Sequence, residues 1–322
     1  MTGNIAILGL NQWGVSAAMA LAEKDSHIHL AGWSPSGSQK ISANHKKIFK
    51  EVAKDLPSAV KNAKIILLML GPDELEQVAE ELGRLVTQEK VVINFTFLHR
   101  HSADLLKPYL KDPSRYVSIL PALNPARVLF SDFQKCEPYA DLFKEGIIYL
   151  VDPLQADSMV LDLAIDLSVL LGGNPMLSDP LEVDGLIAMN LLLPDLTASA
   201  LMAGLSSQPG WREGKLLAGS ALAGSTQCLQ DPTDAADVGR VIFHQRENMV
   251  RGINGLIDQL MKYRRFLEMN DGDGFSNKMR IAAENRADWY RERSLPLPAR
   301  ALTTTIPDEQ LALKQILQFL TA

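Results

Sequence analysis

Cysteine is nearly absent from this chain. Cys136 and Cys228 are its only two in 322 residues, far apart and without metal-ligand spacing. That argues against a disulfide framework or a metal centre and fits free thiols in a reducing, cytoplasmic compartment. A basic excess is also missing. The 32 Lys and Arg face 38 Asp and Glu, for a net charge of −6 and a pI near 5.6. No clustered basic footprint for nucleic acid is expected. No basic segment with a long apolar run opens the chain, because the run from Ile5 stops at Leu8. Only Leu186–Leu205 approaches membrane length. Asn190, Pro194 and Asp195 sit near its middle, so a buried helix rather than a membrane span is expected.

What is present starts at Asn4. Ile5–Leu8 is an apolar run suited to a strand buried on both faces, and Gly9 ends it. Gly14 opens the helical pattern Ala17–Ala22. Strand, glycine turn and helix N-terminus aim backbone N–H groups and a helix dipole at an anion. In a dinucleotide-binding fold that anion is the pyrophosphate. The G-x-G-x-x-G pattern reads Gly9-x-Asn11-x-x-Gly14 here, and Asn11 is expected to survive in the turn by tolerating positive φ. A strand–helix turn that binds no nucleotide is the alternative.

An acid is also lacking where NAD-binding proteins place one, about 20 residues beyond the glycines. The second strand runs to Trp33, and no carboxylate lies between Gly32 and Lys50. Ser34, Ser36 and Lys40 stand there instead, a set that suits a 2′-phosphate. NADP is therefore the expected cofactor, with NAD possible and a polar surface loop as the alternative.

Further strands are expected at Lys64–Leu70, Val91–Asn94, Tyr116–Leu120 and, last, Gly146–Asp152, with helical segments between them and Asp73 as a helix cap. This alternation predicts an α/β domain, a Rossmann-type doubly wound parallel sheet, over 1–153. Residues 154–322 read as all-helical, with one long helix at Ala235–Glu268 interrupted by the Asp271–Gly274 loop. The helical part is apolar enough to suggest a homodimer built on shared C-terminal helices.

Four stretches carry a resemblance. They are GLNQWGVSAAMALA, the Pro121 region, EVDGLIAMNLLLPDLTASAL and LAGSTQCLQDPTDAADVGRVIFHQRENM. In order and spacing they resemble the prephenate/arogenate dehydrogenase family over nearly the whole chain. Pro194, Thr226, Asp231, Pro232, Arg246 and Glu247 match its motifs. The resemblance implies an NADP-dependent oxidoreductase performing oxidative decarboxylation in tyrosine biosynthesis, with a small-molecule substrate. It also implies a histidine before Pro121, where this chain has Leu120, and leucine transfers no proton. The family's helix histidines fall at Leu192 and Asp195, and its arginines at Ala223 and Gln227.

The remaining polar residues supply the candidates. His99, Asn124 and Asn190 are the catalytic candidates, and Arg127, Asp195 and Arg246 the substrate-binding ones. Cofactor contacts are expected from Gly9, Leu10, Asn11, Gln12, Trp13, Gly14, Ser34, Ser36, Lys40, Leu70 and Asn94. Three readings stay open: the family's own reaction, a dehydrogenase or reductase for another small substrate, and a non-catalytic nucleotide-binding paralogue.

Overall fold

The computed structural model describes residues 4–35, 46–128, 137–151, 153–293, 295 and 306–321. Eight strands form one sheet: β1 (Asn4–Leu8), β2 (Leu30–Trp33), β3 (Glu51–Val52), β4 (Ala63–Leu68), β5 (Val91–Asn94), β6 (Tyr116–Pro121), β7 (Ile147–Val151) and β8 (Asn174–Ser178). Their order is β3-β2-β1-β4-β5-β6-β7-β8. The order reverses at β1/β4, which makes that junction the switch point where such sheets open a ligand crevice.

Helices cover both faces. Ile5 and Ile7 point to the side of α1 (Gln12–Ala22), where Ala17, Ala18 and Leu21 are buried. The same side packs α6 (Ser158–Leu170) and the C-terminal α14 (Glu309–Thr321) through Leu163, Leu167, Ala312 and Ile316. Ala6 and Leu8 point the other way, to α2 (Leu56–Val60), α3 (Pro72–Leu85) and α4 (His99–Leu106). This α/β Rossmann-type layering is the expected fold class. The N-terminus of α3 is capped by Gly71, whose N–H meets the Glu74 carboxylate at 3.1 Å, and Asp73 lies inside the first turn.

Two expectations about the far side of the sheet change. β7 runs antiparallel to β6, so the sheet is mixed. β7 is also not the last strand, since β8 pairs parallel with it at the sheet edge. β8 reads NPMLS, with a proline and no β-branched residue, and an edge strand tolerates both. The chain packs as two units, Met1–Pro180 with Ala287–Ala322, and Leu181–Arg286. Residue 153, where the sequence reading ends its first domain, falls within the first unit, because β8 is a strand of the sheet and α6 and α14 pack on its face.

The second unit is helical: α7 (Pro180–Ile187), a π-helical turn (Ala188–Leu192), α8 (Leu193–Ser206), α9 (Trp211–Gly214), α10 (Ser220–Ser225), α11 (Pro232–His244), α12 (Arg246–Glu268) and α13 (Gly272–Arg293), which runs on into the first unit. The long helix expected at 235–268 breaks at Gln245. The 271–274 segment starts α13, with the Gly274 N–H on the Asp271 carboxylate. Pro180–Ser206 is long and apolar enough to cross a membrane, by length and composition, with a mean hydropathy of 1.6. It is not the buried helix expected: only 22% of its most apolar window is buried, and Ala198 is the one buried residue of α8. Leu181, Leu186, Leu191 and Leu201 along it are exposed.

Candidate functional site

The β1–α1 turn is built around two glycines. Gly9 has φ +104°, and a Cβ there would collide with the Met69 carbonyl. A Cβ on Gly14 would strike the Gly9 carbonyl. Both positions require glycine, one for conformation and one for close approach. The turn is stitched to its neighbours by Gly9 N–H to Trp33 O at 2.8 Å and Met69 N–H to Leu8 O at 2.7 Å.

Asn11 differs from expectation. Its φ is −76° and ψ −176°, so it is extended and needs no tolerance of positive φ. It is the N-cap of α1. Its Oδ1 accepts from Gly14 N at 3.0 Å, and its Nδ2 donates to Met69 O at 2.7 Å. The side chain thus pins the helix start to the end of β4. Gln12 donates to Glu137 O at 2.9 Å. Trp13 packs edge-on to Phe97 with centroids 5.1 Å apart and tilts on Phe143 at 5.6 Å. Leu10 and Leu70 are buried. Ser34 follows β2, while Ser36 and Lys40 lie outside the described residues.

The ends of β5 and β6 hold a buried polar cluster. Asn94 Nδ2 donates to Thr96 Oγ1 and Ser118 Oγ, both at 3.1 Å. Thr96 and Ser102 hydroxyls are 2.8 Å apart, and Tyr116 and Ser118 hydroxyls 3.0 Å. Asn94 Oδ1 has no partner among the described residues, and neither do the two ring nitrogens of His99. His99 is 2% exposed, and burial pushes its pKa down to about 3, so the imidazole is neutral. It is thus a weak base, and a catalytic role requires the surrounding packing to open.

Leu120 is buried near the end of β6, at the position where the resemblance implies histidine. Beyond it, Asn124 is engaged by backbone at both ends: Nδ2 on Asp141 O and Oδ1 on Ala126 N, each at 2.9 Å. Arg127 pairs with Asp141 at 2.8 Å and lies 4.1 Å over the Tyr139 ring. In this conformation both residues serve to fold the segment after β6, which includes the one-turn α5 (Pro125–Val128). Arg293, which sequence reasoning did not single out, donates from Nη2 to Leu123 O in the same loop. It sits in a helix of alternating charges, where nothing in the pattern marks it.

The second unit holds the other candidates. Asn190 is exposed, and its Nδ2 donates to Leu186 O at 2.9 Å within its own helix. Burial raises the pKa of Asp195, opposed by a hydrogen bond with the Cys228 thiol. Burial, and then the Asp195 charge, raise that of Cys228. Arg246 is exposed at the start of α12. An apolar groove of about 420 Å³ is lined by Met189, Leu193, Pro194, Thr197, Leu201 and Ser225.

No family model and no curated protein matches this chain. Solved structures do match its fold. Prephenate dehydrogenase from Aquifex aeolicus superposes with a TM-score of 0.73 at 16% identity, covering 89% of this chain and 99% of that one. The same enzyme in complex with hydroxyphenyl propionate and NAD+ gives 0.74 at 16%, covering 89% and 98%. Synechocystis arogenate dehydrogenase gives 0.67 at 16%, covering 89% and 99%. At this identity the likeness establishes a shared fold.

Proposed function

We propose that this chain is an NADP-linked oxidoreductase acting on a small substrate, of the prephenate/arogenate dehydrogenase type. One observation carries the reading. At the switch point of the sheet, the Gly9–Gly14 turn keeps the backbone path and close packing of a pyrophosphate cradle, on a fold shared with those dehydrogenases. Preference for NADP is supported by the lack of any carboxylate between Gly32 and Lys50. Titration of the full chain with NADPH, NADH and their oxidised forms tests it, followed by turnover of prephenate and arogenate. Tight NADPH binding with turnover supports the reading, and absence of binding by every form refutes it. NADPH binding without turnover of either acid would favour the second reading, a nucleotide-binding protein without this catalysis. The buried Leu120 and the sequestered His99 are what favour it.

The active form is a homodimer joined through the second unit. Leu186, Leu191, Leu201, Val250, Ile257 and Leu260 are exposed on its helices in the single chain. Sedimentation equilibrium should give twice the chain mass, and Leu201→Glu with Ile257→Glu should give the chain mass. A monomeric wild-type protein, or one that partitions onto lipid vesicles, would refute the dimer.

A further inference from the structure

Arg293 ends α13, and its side chain is half-buried. Its one hydrogen bond among the described residues goes to a neutral acceptor, the Leu123 carbonyl. Arg115, Arg127, Arg240, Arg264, Arg280 and Arg291 all have carboxylate partners. Arg293 has none within 4 Å among the described residues. Burial disfavours its charge, and the electrostatic influence of the Tyr149 hydroxyl opposes this. A desolvated guanidinium without a counter-ion is costly, and an anion relieves that cost.

Its position gives the feature a use. Leu123 follows β6 by two residues, at the carboxyl end of the parallel strands where this class of sheet binds ligands. Leu120 and Tyr149 are cross-strand partners in the β6–β7 pair, so their side chains share a face. A guanidinium and a phenol therefore gather at the end of β6. Guanidinium donors not used by Leu123 suit a carboxylate, which they can grip through two parallel N–H···O bonds.

We propose that Arg293 binds a carboxylate of the substrate at the end of β6, beside Tyr149. This rests on the oxidoreductase reading and assigns the residue that would hold a carboxylate of its substrate. The probe is 3-(4-hydroxyphenyl)propionate, compared with its uncharged carboxamide, by calorimetry on the full chain with and without NADP. The wild type should prefer the acid by on the order of 10- to 100-fold, the worth of one charge-assisted contact. Arg293→Gln keeps a donor for Leu123 O but no charge. It should bring acid and amide within about twofold while NADPH affinity stays unchanged. Arg293→Lys, which keeps the charge but not the fork, should retain part of the preference. An anchor for the Leu123 loop alone would not move the acid-to-amide ratio. Equal binding of acid and amide by the wild type, no binding of the acid, or an unchanged ratio in a folded Arg293→Gln would overturn the proposal. Failure of the cofactor reading shows separately, as absent NADPH binding, and the ratio without nucleotide still decides Arg293.

Discussion

Replacing Asn11 with alanine separates what the turn needs for folding from what it offers a nucleotide. The residue is extended, at φ −76°, so alanine adds no backbone strain. Two interactions are lost: the cap on Gly14 N and the bond to Met69 O. The cap is worth about 1 kcal/mol and the part-buried hydrogen bond about 1 kcal/mol more, so the loss is roughly 2 kcal/mol. For a domain of this size that lowers Tm by about 4–8 °C. Glycine replaces a cap at a cost of only a few tenths of a kcal/mol, so Asn11→Gly should lose about half as much. It should also release the Gly14 N–H toward an anion, so NADPH binding should hold or tighten. Urea and thermal unfolding measure the first effect, and calorimetry with NADPH the second. A neutral Asn11→Ala would show that the two hydrogen bonds do not lock the turn. Loss of NADPH binding in a folded Asn11→Gly would show that the carboxamide itself contacts the cofactor.

Gly14→Ala drives a Cβ into the Gly9 carbonyl and should abolish NADPH binding, with a lower Tm, whereas alanine at the open Gly239, inside α11, should leave binding unchanged and raise Tm slightly. His99 titrates near 3 when folded and near 6.5 when unfolded, so the unfolded chain takes up the extra proton as pH falls through that window. Between pH 7 and pH 5 the wild type should lose about 2 kcal/mol more than His99→Leu in urea unfolding, and equal losses would place His99 in contact with water. Asp166 has the opposite sign. Burial, with Asp162 nearby, raises its carboxyl to about 7, so its stabilising contribution is full below pH 4 and lost as pH rises through 7. Asp166→Asn should therefore gain stability over the wild type at pH 8 and not at pH 4.

Most of the first 120 residues are legible because the strands there, apart from the exposed two-residue β3 that the sequence did not suggest, are short apolar runs closed by glycine, proline or a polar residue. Ile5–Leu8 and Ile65–Leu68 have no other way to bury both faces. β8 is hidden because edge strands obey weaker composition rules, and NPMLS carries a proline and no β-branched residue. The site was legible by residue type and not by engagement. Asn124 and Arg127 have the chemistry of site residues, yet their partners, Asp141 and Tyr139, lie more than ten residues away and cannot be read from spacing. Arg293 comes from the far end of the chain to meet Leu123, a pairing invisible without the fold.

The aromatic contact between Trp13 and Phe97 bears most directly on how a dinucleotide would lie. Trp13 follows β1 and Phe97 follows β5, while the sheet order places β4 between those strands. The ring pair therefore bridges the segments that follow β1 and β5, the strands on either side of β4. A dinucleotide crossing from β1 toward β6 must stack on this pair or part it. Either way Trp13 should report a nicotinamide bound there, with the other tryptophans, Trp33, Trp211 and Trp289, as the background. NADPH should quench tryptophan emission and draw energy transfer into the dihydronicotinamide band, and Trp13→Phe should remove most of that transfer while NADPH still binds. ADP-ribose should change the emission less than NADPH, because it lacks the ring. If transfer persists in Trp13→Phe, the nicotinamide lies away from the bridge. If ADP-ribose and NADPH act alike, only the adenine half enters the crevice, and the bridge is a barrier that a hydride-transferring cofactor does not pass.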